Sequence, residues 1–264
     1  MFSAHKAVFA GLIGLGIATL PGLAAAENYS ESAVSLGYSW NDKPDWVTGT
    51  GSTSKERATL RLEHYGSNVI GDNYFSLDIY NSDARLGSPD NGSGSKNENF
   101  FTWNAHYSGS KITGSKLEFG PISDVALMSR VISSSYDKYR QGALGLSLYW
   151  KVPGLSTLET SVLRFRDDGD TPDTYGWGTL WRTYYYAPFQ AFGLNWMTDG
   201  YLHFKQDKAK NRLYFEPQIY ASFGPKDALA LGLRLEFDKV TGKATLDGQH
   251  DSRFTTSVVG KWTF

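Results

Sequence analysis

The stretch from Leu229 to Asp238 alternates between large apolar side chains and small or charged ones. One face carries four leucines and Phe237, and the other carries Arg234, Glu236 and Asp238. A period of two residues predicts a β-strand whose two faces meet different surroundings. The same alternation recurs in the segments around 57–63, 74–80, 192–205 and 212–221. The sequence therefore predicts an all-β protein.

Alternation by itself leaves two architectures open. A soluble β-sandwich directs its apolar face inward, whereas a membrane barrel directs its apolar face toward lipid and its polar face toward the lumen. Both arrangements produce the same sequence pattern.

The lengths of the predicted connectors favour the barrel. We predict about twelve strands, including a long one at about 116–132, and the connectors between them alternate between long and short. The long ones cover about 42–55, 82–98, 133–140, 167–177 and 239–252, with a shorter one at 206–210. The short ones lie near 66–72, 109–115, 153–156, 188–190 and 224–227. Short periplasmic turns that alternate with longer external loops are typical of an even-stranded barrel. The prediction is a transmembrane, antiparallel, up-and-down β-barrel with both termini in the periplasm.

The amino terminus has the features of an export signal. Lys6 precedes an apolar stretch from Ala7 to Leu20, and three alanines at 24–26 supply the small residues of a cleavage site. About fourteen apolar residues are too few for a transmembrane helix, which needs about twenty. We therefore predict a cleaved signal peptide at 1–26 and one outer-membrane barrel at 27–264.

The last eight residues, from Ser257 to Phe264, also alternate. Val258, Gly260, Trp262 and Phe264 share one face, so the chain ends on an aromatic residue with a second one two positions earlier. This ending resembles the insertion signal of bacterial outer-membrane barrels. The strand is expected to seal a sheet edge in the outer membrane of a Gram-negative cell, because unpaired backbone groups in lipid cost several kcal/mol each.

The composition excludes several other classes. The chain has no cysteine, so a disulfide framework and a thiolate metal site are excluded. Its 26 basic and 27 acidic residues nearly cancel, which argues against a nucleic acid polymer as partner. The 5 histidines show no metal-ligand spacing, and no cofactor motif is present. We predict neither a metal nor a cofactor.

A barrel that carries an active site is the remaining catalytic alternative. The segment His106-Tyr107-Ser108-Gly109 has a His–Ser spacing similar to that of outer-membrane phospholipase but lacks its Asn. No nucleophile elbow, zinc-protease motif or P-loop occurs. The acidic segment 167–173 lacks the spacing of a calcium loop, and a solvated loop is preferred over a site for Ca²⁺ or for lipopolysaccharide-bound ions. The prediction is that the protein is not an enzyme.

A twelve-stranded barrel encloses a lumen wide enough for a small solute. Its inward positions carry charges of both signs and many tyrosines. Tyrosine combines a flat apolar face with a polar hydroxyl, which suits solutes that stack and hydrogen-bond, such as nucleosides and sugars. The alternative is that these tyrosines fill a narrow barrel or form its interfacial girdle. The candidate solute-binding residues are Arg61, Glu63, Tyr74, Asp78, Tyr80, Asp124, Arg182, Tyr184, Arg234 and Glu236.

Three segments follow the order of features in a known channel family. The first segment, Leu117 to Asp124, contains Phe-Gly-Pro with an acid three residues later. The second, Leu60 to Asn81, includes an aromatic-rich strand with an aspartate. The third, Trp181 to Phe189, is predicted to be a strand that ends in a proline turn. These segments resemble the Tsx-like nucleoside-specific channel-forming outer-membrane protein family, of which the chain is identified as a distant member. The segment 27–32 departs from it, since it lacks the aromatic-rich start of the family.

The resemblance implies a monomeric twelve-stranded barrel that passes nucleosides and deoxynucleosides passively. It also implies that Glu63, Asp78, Asp124, Arg182 and Tyr184 are wall residues shared with the family. We therefore expect an outer-membrane passive channel for nucleosides or similarly sized polar solutes, with outer-membrane lipid and lipopolysaccharide as its surroundings. Two alternatives stay open. One is a closed structural, adhesion or receptor barrel that acts through its external loops and has phage or colicins as candidate partners. The other is a barrel-embedded lipase or protease.

Overall fold

The computed structural model describes residues 29–41, 56–86, 95–135, 138–169, 176–207, 210–242 and 252–264. The predicted signal peptide and parts of the predicted external loops lie outside these residues. The described chain forms the strands β1 (Tyr29–Ser39), β2 (Arg57–Ser67), β3 (Gly71–Leu86), β4 (Ser95–Ser108), β5 (Ile122–Ser134), β6 (Arg140–Trp150), β7 (Thr157–Asp168), β8 (Gly176–Ala191), β9 (Leu194–Gln206), β10 (Lys210–Phe223), β11 (Leu229–Gly242) and β12 (Ser252–Thr263).

Every strand pairs with its neighbours in sequence, and β1 pairs with β12, so the sheet closes into a barrel. All twelve pairings are antiparallel. At the seam, the Phe264 amide donates to the Ser32 carbonyl at 2.9 Å, and the Ser32 amide donates to the Phe264 carbonyl at 3.3 Å. The predicted all-β, up-and-down barrel of twelve strands is confirmed, and closure rules out the sandwich.

The barrel has two distinct ends. The turn end holds the seam contact between Ser32 and Phe264 and the connectors 68–70, 109–121, 151–156, 192–193 and 224–228. The loop end is the opposite end of the same strands. A short helix, α1 (Gly109–Thr113), and a 3₁₀ turn (Pro225–Asp227) lie at the turn end. Within the described ranges, no helix is long and apolar enough to cross a membrane.

The barrel wall is apolar outside and largely polar inside. In β11, Leu231 and Leu233 are 55% and 44% exposed, whereas Arg234 and Glu236 are 3% and 4% exposed. A water-soluble protein shows the reverse distribution, because it buries its leucines. Spanning strands of a membrane barrel need an apolar outer band. Other exposed apolar residues of the wall are Leu36, Leu62, Phe75, Phe101, Leu127, Leu146, Val162, Trp181, Leu202, Phe215, Ile219 and Val258.

β8 and β9 are joined by only two residues, Phe192 and Gly193, with φ values of 55° and 74°. Two consecutive positive φ values define a type I′ hairpin, whose twist matches that of the flanking strands. The predicted turn at 188–190 is therefore wrong. Pro188 continues β8 and pairs with Met197. The Tyr186 carbonyl accepts a hydrogen bond from the Ser156 amide, so the backbone of Tyr186 faces β7. The backbone of Pro188, two residues later, faces the same side but lies beyond the end of β7. The missing N–H of Pro188 therefore removes no hydrogen bond from the sheet.

The predicted strand at 116–132 begins too early, because β5 starts at Ile122. The preceding segment contains α1 and a tight turn in which Phe119 and Ile122 exchange two backbone hydrogen bonds, each 3.0 Å long. Gly120 supports this turn with a φ of 58°, a value that glycine adopts without strain. The Phe-Gly-Pro motif therefore forms part of a connector at the turn end.

Candidate functional site

The lumen is crossed by contacts between strands that are not neighbours. Arg61 of β2 donates from Nε to Asp78 Oδ1 of β3 at 2.5 Å, and its Nη1 lies 3.4 Å from Glu216 Oε1 of β10. Arg234 of β11 places its Nε 3.5 Å from the same Glu216 oxygen. All four side chains are buried. Glu216 therefore connects the β2–β3 wall with the β10–β11 wall.

A second buried group is centred on Glu159 of β7. Arg182 of β8 donates from Nη1 to both carboxylate oxygens at 2.8 Å, and Ser147 of β6 donates to Oε1 at 3.2 Å. His106 of β4 places its Nε2 3.1 Å from Glu159 Oε1 and its Nδ1 2.9 Å from Asp72 Oδ1 of β3. This group joins five strands on the opposite part of the wall from β11 and β12.

A third group lies nearer the loop end. Arg57 hydrogen-bonds to Glu236, and Arg253 Nη2 lies 3.6 Å from the other Glu236 oxygen. Arg212 binds Asp238 through two hydrogen bonds, of 2.9 Å from Nε and 2.5 Å from Nη2. Two further lumenal ion pairs are Lys205–Asp167 and Lys261–Glu63.

The predicted tyrosines are engaged by charged neighbours. The Tyr74 hydroxyl donates to Glu63 at 3.2 Å. The Arg57 guanidinium lies 4.9 Å from the ring centroid of Tyr80, and the Arg182 guanidinium lies 5.6 Å from that of Tyr184. Such cation–π contacts hold an arginine over an aromatic face. The faces of Tyr80 and Tyr184 are thus in part already occupied.

Two further tyrosines, which are not among the predicted solute-binding residues, support Glu216. Tyr201 and Tyr214 donate to Glu216 Oε2 at 2.7 and 2.5 Å, and their rings stack at 5.7 Å. His203 stacks on Tyr201, with ring centroids 4.7 Å apart. The three rings form one aromatic surface on β9 and β10.

Asp124 belongs to the turn end. Its carboxylate accepts hydrogen bonds from the Ser108 hydroxyl, from the Ser110 amide at 3.0 Å and from the Ser110 hydroxyl at 2.7 Å. These bonds fasten the start of α1 to β5. Glu118 of the same connector accepts a 2.6 Å hydrogen bond from Lys151, which lies in the connector between β6 and β7, and this bond lowers the pKa of the Glu118 carboxyl. Asp124 therefore has a structural setting that the other candidates do not share.

The other predicted residues fall into the lumenal groups. Arg61, Asp78 and Arg234 join the Glu216 group, Glu236 and Tyr80 join Arg57, Glu63 joins Tyr74, and Arg182 joins Tyr184 and Glu159. Their role in binding a solute stays a prediction.

Sequence reasoning missed Glu159 because the inward face of β7 is partly apolar. Leu163 and Phe165 lie on the same face as Glu159 and are fully buried, whereas Arg164 lies on the exposed face. The rule that apolar residues point to lipid assigns this strand the wrong way round. Leu163 and Phe165 belong to an apolar patch of the lumen wall that also contains Met128, Ala143 and Leu180.

The His–Ser spacing does not assemble a nucleophile and a base. The Ser108 hydroxyl donates to Asp124, and both ring nitrogens of His106 face carboxylates. A general base needs a free ring nitrogen within reach of the nucleophile. In the described part of the chain, no group of three or more histidines and acids is arranged to hold a metal ion.

No protein-family model and no curated protein matches the chain. Among solved structures, the chain is similar to the NanC porin (12% identity, 88% of this chain and 98% of that chain, TM-score 0.46). It is also similar to the KdgM porin in complex with disordered oligogalacturonate (10% identity, 89% and 99%, TM-score 0.45) and to the β domain of the Bordetella autotransporter BrkA (11% identity, 90% and 100%, TM-score 0.40). At this level of similarity none of them identifies a function. The fold rests on the strand pairing described above.

Proposed function

We propose that the protein is a passive channel of the outer membrane for nucleosides or similarly sized polar solutes. One observation carries the proposal: a closed barrel has leucines on its outer face and a lumen lined by charged residues and tyrosines. The outer face suits lipid, and the lumen offers polar and aromatic contacts to a solute. The proposal includes a monomer that is exported with a signal peptide and surrounded by outer-membrane lipid and lipopolysaccharide.

The mechanism is diffusion past weak sites. A solute exchanges hydrogen bonds with the lumenal side chains and stacks briefly on tyrosine faces, and conduction requires that each site release it again. The Arg61–Glu216 contact makes the lumen narrow at that level. We therefore expect a small conductance and a strong dependence on solute shape.

A second candidate function is favoured by the pairing of the lumenal charges. Asp78, Glu216 and Arg234 are at most 3% exposed. An open aqueous pore hydrates the charges that line it. A closed barrel that acts through its external loops, as an adhesin or as a receptor for phage or colicins, accounts for buried and paired charges equally well.

Single-channel current separates the two candidates. The mature protein, residues 27–264, is refolded into a planar bilayer and titrated with adenosine, thymidine, maltose and glycine. Block of the current by the nucleosides alone supports a nucleoside channel, and block by none of the four leaves a channel for other cargo. Absence of current in protein with the circular dichroism of a folded barrel contradicts the channel and supports the second candidate. Amino-terminal sequencing of the exported protein tests cleavage before Glu27.

A further inference from the structure

Arg130 of β5 differs from the other basic residues of the lumen. It is buried, and its Nη1 lies 3.2 Å from His203 Nε2 of β9. Among the residues whose side chains the structure describes, the other arginines and lysines that point into the lumen are each within ion-pair distance of a carboxylate. Those pairs are Arg57–Glu236, Arg61–Asp78, Arg182–Glu159, Lys205–Asp167, Arg212–Asp238, Arg234–Glu216, Arg253–Glu236 and Lys261–Glu63. Only Arg130 in this set faces a neutral acceptor.

The groups around Arg130 do not neutralise it. Arg130 Nε is buried without a hydrogen-bond partner, and so is Oδ1 of Asn104, its register partner on β4. Arg182, the register partner of His203 on β8, brings a second positive charge. The Glu159 carboxylate already accepts bonds from Arg182 and His106.

The nearest unpaired acid on β9 does not reach Arg130. Asp199 is buried, and its Oδ1 has no hydrogen-bond partner. It precedes His203 by four residues, which separates the two Cα atoms by about 13 Å at 3.3 Å per residue. The positive charge of Arg130 therefore has no protein counter-ion among the described residues, although an uncompensated buried ion is costly.

We propose that Arg130, His203 and Asn104 form an anion-binding site in the lumen wall, which takes a small oxyanion such as a phosphate or carboxylate group. The planar guanidinium donates two parallel hydrogen bonds to such a group, and its unbonded Nε is one of these donors. Asn104 lies on the neighbouring strand at the same level, and its NH2 group is the part of the side chain that can donate to an oxyanion, since its Oδ1 only accepts. As a binding site, it requires only the folded barrel. As a selectivity site for anionic solutes, it rests on the proposed channel function.

The experiment uses inorganic phosphate as the probe and two readouts. Isothermal titration of phosphate into the refolded mature protein measures binding, and the reversal potential in a potassium phosphate gradient measures anion preference. The variant Arg130→Gln removes the charge and keeps a polar, hydrogen-bonding side chain, although a shorter one. The control is the double variant Arg212→Gln with Asp238→Asn, which removes one lumenal arginine together with its carboxylate partner and so preserves the net charge. Arg253, whose Nη2 lies 3.9 Å from Asp238 Oδ2, keeps its contact with Glu236 in this variant.

We expect Arg130→Gln to weaken phosphate binding and anion preference by roughly tenfold, which is the equivalent of one charge-assisted hydrogen bond. The control is expected to change both by much less. Equal phosphate binding by the wild type and Arg130→Gln overturns the site, even if the pore conducts. Binding that depends on Arg130 in a protein without conductance leaves the site intact and contradicts only the channel.

Discussion

Arg61 Nη1 lies 3.4 Å from Glu216 Oε1 across the lumen, although β1, β11 and β12 separate their strands around the wall. The contact therefore crosses the lumen from one side of the barrel wall to the other, and we call it the chord. Arg61 is also held by Asp78 on β3. A solute that travels along the barrel axis has to pass this chord, so the Arg61 side chain sets the width of the lumen at this level.

Truncation of Arg61 is expected to widen the pore. In Arg61→Ala the chord is absent, and Asp78 and Glu216 keep only their remaining partners. We predict a larger single-channel conductance and weaker discrimination between solutes. Arg212→Ala is the matched control, because Arg212 bonds to Asp238 on the adjacent strand and crosses no lumen. An unchanged conductance in Arg61→Ala contradicts the assignment of the chord as the constriction.

Glu159 is expected to be essential to the stability of the barrel. In Glu159→Gln, the buried Arg182 loses its carboxylate and His106 loses one of its two acceptors. Loss of one partner from a buried ion pair costs about 3–5 kcal/mol. Urea unfolding of the detergent-solubilised protein measures the loss of free energy of unfolding. Glu98→Gln is the control, since the Glu98 carboxylate accepts a 2.6 Å bond from Ser134, and we expect a loss of about 1 kcal/mol there. Equal losses in both variants contradict the role of Glu159.

Ser108 is expected to act as a helix cap and not as a nucleophile. Its hydroxyl accepts a 3.0 Å bond from the Lys111 amide at the start of α1 and donates to Asp124. Ser108→Ala is predicted to lower the free energy of unfolding by about 1 kcal/mol, the usual cost of losing a cap. No ester hydrolysis is expected from the wild type or the variant with phospholipid vesicles. Hydrolysis that the variant abolishes reinstates the barrel lipase.

The strands could be predicted from the sequence because the period-two signal depends only on which face meets lipid. β11 shows this well, with leucines outside and Arg234, Glu236 and Asp238 inside. β7 shows where the signal fails. Leu163 and Phe165 point inward to the apolar patch, because a narrow lumen also needs filling.

The lumenal groups could not be predicted, because closure of the whole barrel decides which side chains meet. Arg61 and Glu216 are 155 positions apart in sequence, and no local pattern links them. Arg130 could be recognised only by elimination, once the carboxylate partners of the other lumenal bases were known. Asp124 lies on the wall strand β5, but no local pattern shows that three hydrogen bonds join its carboxylate to Ser108, at the end of β4, and to Ser110, in the following connector.

Gly145 in β6 is expected to set the close approach of β6 to β7. A Cβ atom at this position would overlap the Val162 carbonyl oxygen and lie 2.7 Å from Leu163 Cα. Both atoms belong to the backbone of the neighbouring strand, so the strain cannot be relieved by rotating a side chain. Gly145→Ala is therefore predicted to lower the free energy of unfolding by about 1–3 kcal/mol, the usual range for overpacking.

Gly37→Ala in β1 is the matched control for this prediction, because its added Cβ meets Val259 Cγ2 at 3.6 Å, an ordinary van der Waals distance. We expect the control to be close to the wild type in free energy of unfolding, measured by tryptophan fluorescence in denaturant. A Gly145→Ala variant as stable as Gly37→Ala would show that β6 and β7 can separate without cost. In that case, the inward position of Leu163 would not depend on the close approach of β6 to β7. The same would hold for the apolar patch to which Leu163 belongs.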